Sequence, residues 1–219
     1  MSHDTVFACS RREEFANCAT HFVGATLSIL ALWRMLAHPA AVSDAYRIVS
    51  VFAFGGSMIL LYTASTLYHA MWRPTPKQIM RTCDHACIFL LIAGTYTPYT
   101  IVSLKGGWGW SLFGVVWGLA ICGIAARVFL RAKSRLVMCL IYIGMGWLGA
   151  IAFKPALDVL PLAGFMWLIA GGFMYTMGVI FYAWRKLPYN HAIWHLFVML
   201  GTLCHFLSIY LYVLPMPRA

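Results

Sequence analysis

The chain has 219 residues, of which 62% are hydrophobic, 16% aromatic and only 10% charged, and its mean hydropathy is +0.79. A soluble domain carries about 45–50% apolar and ~25% charged residues, so a water-soluble fold is excluded for want of polar surface. The formal net charge of +10 would suggest nucleic acid in a soluble protein. Here the basic residues fall between apolar segments, where they serve topology and anionic head groups, and no nucleic-acid partner is expected.

A helix that crosses a bilayer takes about 20 apolar residues. Seven such segments follow one another, at roughly 16–37, 47–71, 84–104, 109–130, 136–154, 159–184 and 191–214. The expected fold is all-α, a polytopic seven-transmembrane-helix bundle over 16–214, with a tail at 1–15 and a short C-terminal tail at 215–219. Lipid cannot satisfy open backbone groups, and the alternating short segments of a transmembrane barrel are absent. The first segment is too long for a signal-peptide core and is read as a retained helix.

In helix 1, Glu14, Asn17, His21 and Gly24 recur at helical spacing on one face, which is expected to turn inward as a structural polar network. Helix 2 closes with Ser65 and His69, four residues apart. Arg81, Asp84 and His85 open helix 3, where Asp84 is the one acid of helices 2 to 7. It is either an interfacial residue paired to Arg81, a helix cap, or a functional group. Helix 4 holds Gly114 and Gly118, a small-residue pair read as internal packing, with homodimer contact as the alternative. Helix 7 begins with His191 and His195, four apart and therefore on one face. Trp108, Trp110, Tyr210 and Tyr212 at one side, and Trp72, Trp184 and Trp194 at the other, read as interfacial belts. The cysteines number 7, an odd count, mostly in apolar segments, so no disulfide framework is expected. A rival metal cluster of Cys83, His85 and Cys87 fails because His85 lies off the face that the two cysteines share.

Of the 16 basic residues, eleven fall on the side that takes the N-terminus and the joins after helices 2, 4 and 6. The positive-inside rule places that side in the cytosol and the C-terminus outside. His69, Asp84, His191 and His195 then lie at similar depth near the cytosolic face. Three histidines with an open fourth position are the arrangement of a catalytic zinc site, although imidazole also suits copper, nickel or iron. Interfacial histidines bonded to head groups or backbone would give the same pattern, and spacing alone leaves both readings open. His205 is ten residues past His195, about 15 Å deeper, too far to join them.

Several separated motifs resemble the hemolysin III family, the bacterial branch related to the progestin and adipoQ receptors. They are Glu14-Phe-Ala-Asn17-Cys-Ala-Thr20-His21-Phe-Val-Gly24, Ser65-Thr-Leu-Tyr-His69, Asp84-His85 with Ala93-Gly-Thr-Tyr-Thr-Pro-Tyr99, and Pro188-Tyr-Asn-His191-Ala-Ile-Trp-His195. The resemblance covers about 13–214 and implies one Zn²⁺ ion held by His69, His191 and His195, with Asp84 orienting a water and Ser65 nearby. It also implies a multi-pass protein of the bacterial inner (plasma) membrane whose partners are membrane lipids. Three functions follow as expectations. The first is a zinc-dependent hydrolase of a lipid amide or ester, with Asp84 as base. The second is a non-catalytic sensor of membrane state with a structural zinc or a fatty-acid ligand. The third, a haemolytic pore, is suggested by the family name but disfavoured because no helix carries a continuous polar stripe.

Overall fold

The computed structural model describes residues 10–42, 44–129 and 135–217. Helices dominate, with no strand among the described residues. In chain order they are α1 (Arg11–Leu36), α2 (Ala45–Ala70), α3 (Pro74–Pro98), α4 (Gly106–Val128), α5 (Arg135–Gly146), α6 (Phe153–Val159), α7 (Leu162–Ala183) and α8 (Asn190–Ser208). A 3₁₀ turn, Leu148–Ala152, joins α5 to α6, while π-helical turns extend α3 over Tyr99–Leu104 and α8 over Ile209–Val213. Together these make seven spans long and apolar enough to cross a membrane.

Local chemistry sets the starts. Ser10 caps α1 through a reciprocal box with Glu13, and Asp44 caps α2 by accepting from the Arg47 amide at 3.0 Å. Pro74 and Pro76 sit in the first turn of α3, where a missing N–H costs nothing. Those prolines correct one expectation. Helix 3 begins at Pro74 and not at Asp84, so Asp84 lies ten residues inside the helix and does not cap it. Helix 1 likewise begins at Arg11, earlier than the apolar run suggested. The fifth span runs to Val159, taking in Lys154, Pro155 and Asp158, and it is not one continuous helix. At its break the Tyr96 hydroxyl donates to the Gly146 carbonyl and accepts from the Gly149 amide, each at 2.7 Å. The freed backbone groups are thereby satisfied inside the protein, the condition for irregular backbone at membrane depth.

α3 is the central pillar, with 67% of its membrane window buried against 11% for α4. It packs between α2 and α4, while α1 lies on α2 and α8, and α7 on α8. Close approach of α2 and α3 depends on Gly94, where a Cβ would fall 2.3 Å from Ser57 Oγ and 2.5 Å from the Ala53 carbonyl. Gly114 and Gly118 differ: nothing lies within 4 Å of a Cβ added at either, so the pair faces away from the bundle and internal packing is not its role. At the C-terminal end the buried Arg47 guanidinium donates to the Leu214 carbonyl at 3.0 Å and to that of Met216, tying the last residues to the start of α2. The opposite end, which carries the starts of α1, α3 and α8 and the ends of α2, α4 and α7, is called the proximal end below.

Candidate metal centre

Two elements bring the three expected histidines together at the proximal end. His69 comes from the last turn of α2, and His191 and His195 come from the first turns of α8. Each offers a ring nitrogen, and the three nitrogens lie within 4.8 Å of one another. The ring centroids of His69 are 5.0 Å from His191 and 5.2 Å from His195, and the latter two are 4.5 Å apart. His69 and His195 are buried, and His191 is partly buried.

The turn before α8 aims its pair. Tyr189 adopts a left-handed conformation (φ 56°), which reverses the chain between α7 and α8. Its amide donates to Glu13 Oε1 at 3.3 Å, and the Asn190 side-chain amide donates to the carbonyls of Phe181 and Tyr182 at the end of α7. The start of α8 is thus fixed to both α1 and α7.

The inward face of α1 supports the rings from behind. Glu14 Oε2 is 2.7 Å from His69 Nδ1, and Glu14 Oε1 is 3.1 Å from Lys77 Nζ. A carboxylate paired with Lys77 accepts, so a proton sits on His69 Nδ1, and in the neutral ring Nε2 keeps its lone pair. His195 Nδ1 is 3.2 Å from the Asn17 carbonyl and 3.0 Å from Thr20 Oγ1. A carbonyl can only accept, so the same tautomer holds there. Nε2 of both His69 and His195 is buried with no hydrogen-bond partner among the described residues. Two unprotonated nitrogens converging without partners are what a borderline metal ion such as zinc accepts, and carboxylate or carbonyl support of the far nitrogen is the usual companion of such ligands.

Glu14, Asn17 and His21 do face inward as expected, but they form no separate network: all three contact the histidine group. The His21 ring stacks on His195 with centroids 3.4 Å apart, and neither of its nitrogens has a partner among the described residues. Lys77 carries no signal of its own in the sequence, where it falls in a join between apolar segments. It is fully buried in the first turn of α3, over the Tyr68 ring at 4.8 Å. Trp194, read as an interfacial belt, instead packs on His191 and His195 at 5.0 and 5.4 Å. Trp72, Trp108, Trp110 and Trp184 are half exposed, as belts require.

Asp84 is buried at the same end but does not join the converging nitrogens. Its carboxylate lies 3.5 Å from His85 Nδ1 and feels the charges of Arg127 and Arg81. Ser65 is buried beside it, although its hydroxyl reaches no full hydrogen-bond geometry. Asp84 opens onto a cavity of about 520 Å³ that runs from Arg81 and Arg127 through the bundle to Leu104 and Leu160. His21 and Trp194 line it, while His69, His191 and His195 lie just behind that lining. Cys83, His85 and Cys87 form no ligand group.

Residues 9–206 match the family model described as haemolysin-III related. The chain belongs to that family. Among haemolysin-III relatives it is 45% identical over 204 residues to Hemolysin-3 of Bacillus cereus, covering 93% of both chains. It is 43% identical to the Hemolysin-3 homolog of Bacillus subtilis strain 168, covering 94% of this chain and 97% of that one. A human protein, monocyte to macrophage differentiation factor, is similar at 28% identity over 94% of this chain and 86% of its own length. The haemolysin-III match together with the seven spans makes this a multi-pass membrane protein.

Proposed function

We propose that this protein is a zinc-dependent hydrolase of a lipid amide or ester, working at the proximal end of the bundle in the bacterial inner (plasma) membrane. The observation that carries this reading is the convergence of three imidazoles behind the wall of a largely apolar cavity, with a buried carboxylate opening onto that cavity at the same end. His69, His191 and His195 would hold the ion. When bound, zinc lowers the pKa of water to ~7 and polarises a carbonyl. The chain's own groups do the rest. Glu14 and the Asn17 carbonyl hold the Nδ1 protons and so keep Nε2 available. Asp84 accepts a proton, with Ser65 beside it and Arg81 and Arg127 balancing its charge. The cavity seats an acyl chain and excludes water.

The excess of basic residues at the proximal end supports a cytosolic placement for it, so substrate would enter from the inner leaflet. The test is zinc content and lipid turnover of the purified protein, wild type against His69→Ala, His191→Ala, His195→Ala and Asp84→Asn. Zinc lost from the histidine variants, and turnover lost from all four, is the expected result. Full zinc in the histidine variants, or turnover unchanged in Asp84→Asn, overturns the reading. One observation favours a second reading, a sensor of membrane state with structural zinc: the three histidines stand behind the cavity lining rather than on it. That reading predicts the same metal loss but no turnover in the wild type.

A further inference from the structure

The cavity has a second polar point far from the histidine group. His205, ten residues beyond His195 on α8, lines it and is 5% exposed. Its ring is locked in place. It stacks on Tyr175 with centroids 5.6 Å apart and 22° between planes, and Tyr99 meets it edge-on at 6.4 Å. Its Nε2 edge lies against Gly171, where a Cβ would come within 2.6 Å. Its Nδ1 is buried and has no hydrogen-bond partner among the described residues. The Tyr99 hydroxyl, also on the lining, is near Ser208 but makes no full hydrogen bond. By contrast, the neighbouring Tyr62 and Tyr175 hydroxyls both bond Thr202 Oγ1, at 2.7 and 2.9 Å. Among these four side chains the unsatisfied groups belong to His205 and Tyr99, both on the cavity wall. A buried polar atom left unpaired is costly, so such atoms usually mark a ligand or ordered water.

We infer that the ligand of this cavity is an oxygenated acyl chain, carrying a hydroxyl about 15 Å along the bundle from the end seated near the histidines. A hydroxyl suits His205 in either tautomer, because it donates to a bare Nδ1 and accepts from a protonated one. The stretch between the two polar points is lined mainly by side chains such as Leu61, Ile88, Leu91 and Leu168, which accept methylenes and nothing polar. The inference rests on the cavity seating an acyl chain, as in the hydrolase reading, and adds which chain.

The test measures binding and needs no turnover. Stearic acid and its monohydroxylated isomers, with the hydroxyl walked from the carboxyl end to the terminal carbon, compete for a labelled fatty acid on the purified full chain in nanodiscs. One narrow set of isomers should bind about tenfold more tightly than stearic acid itself. His205→Phe should flatten the series while leaving stearic acid binding in place, and His205→Gln should retain a preference. A flat series in the wild type overturns the inference and assigns ordered water to His205. So does a preference that survives in His205→Phe, or a failure of every member to bind. An intact series without lipid turnover would count against the hydrolase reading alone.

Discussion

Glu14 joins three elements through one side chain: its own helix α1, His69 at the end of α2 and Lys77 at the start of α3. Glu14→Gln keeps the shape but removes the charge that fixes the His69 proton and answers Lys77. We expect zinc affinity to fall about 10- to 100-fold, read by competition with a chromophoric chelator. An unchanged affinity would show that His69 is oriented without it. A second residue-scale prediction concerns Asp44, outside the spans. Partial burial pushes its carboxyl up, but the bonds from the Arg47 amide and guanidinium, with that group's charge, outweigh this and leave it below the usual value. A folded-state pKa below the unfolded one gives stability that is present above the unfolded value of ~3.9 and lost as pH falls through the folded value. Asp44→Ala should therefore lower stability by about 1 kcal/mol near neutrality and by less once the carboxyl is protonated, checked by thermal unfolding across acid pH. At this scale the histidine pair of α8 was legible because a spacing of four has one geometric meaning on a helix. Lys77 was not, because the prolines before it read equally as a loop and as the first turn of a helix.

Among the elements, the fifth span shows most clearly what sequence periodicity misses. Its apolar run continues through Gly144, Gly146 and Gly149, yet the backbone breaks into α5, a 3₁₀ turn and α6. What permits the break is Tyr96, on a different helix and 50 residues away from Gly146, and no local pattern encodes a partner at that distance. Tyr96→Phe should leave the Gly146 carbonyl and Gly149 amide without this partner and lower thermal stability by about 1 kcal/mol. An unchanged melting temperature would mean that another group satisfies the break. Gly94 tests the packing of α2 on α3. Gly94→Ala drives a Cβ against the Ala53 carbonyl, which cannot swing aside, and overpacking of this kind costs about 1–3 kcal/mol. Because α2 carries His69 and α3 carries Asp84, the same substitution should also weaken zinc retention.

Across the whole molecule, composition together with seven successive apolar segments was enough to predict seven membrane helices, since lipid is the solvent that accepts so much apolar surface. The relation between cavity and histidines was not legible: it depends on which side of each helix faces the lumen. If the proximal end is cytosolic, a membrane-impermeant thiol reagent applied to intact cells should label Lys105→Cys and spare Lys186→Cys in a cysteine-free background. The opposite pattern would invert the topology. Zinc held as proposed would link α2 to α8, so a chelator should lower the melting temperature of the wild type and leave His195→Ala unmoved.

The unequal burial of the helices has a consequence for how this chain tolerates change. A side chain of α4 that faces acyl tails can be exchanged for another apolar one at little cost, because lipid is as accommodating as it is apolar. α3 has few such positions: almost every side that it presents meets α2, α4 or the cavity. Saturation mutagenesis should therefore find α4 permissive on its outer face, and α3 intolerant nearly all the way round, including positions remote from any histidine.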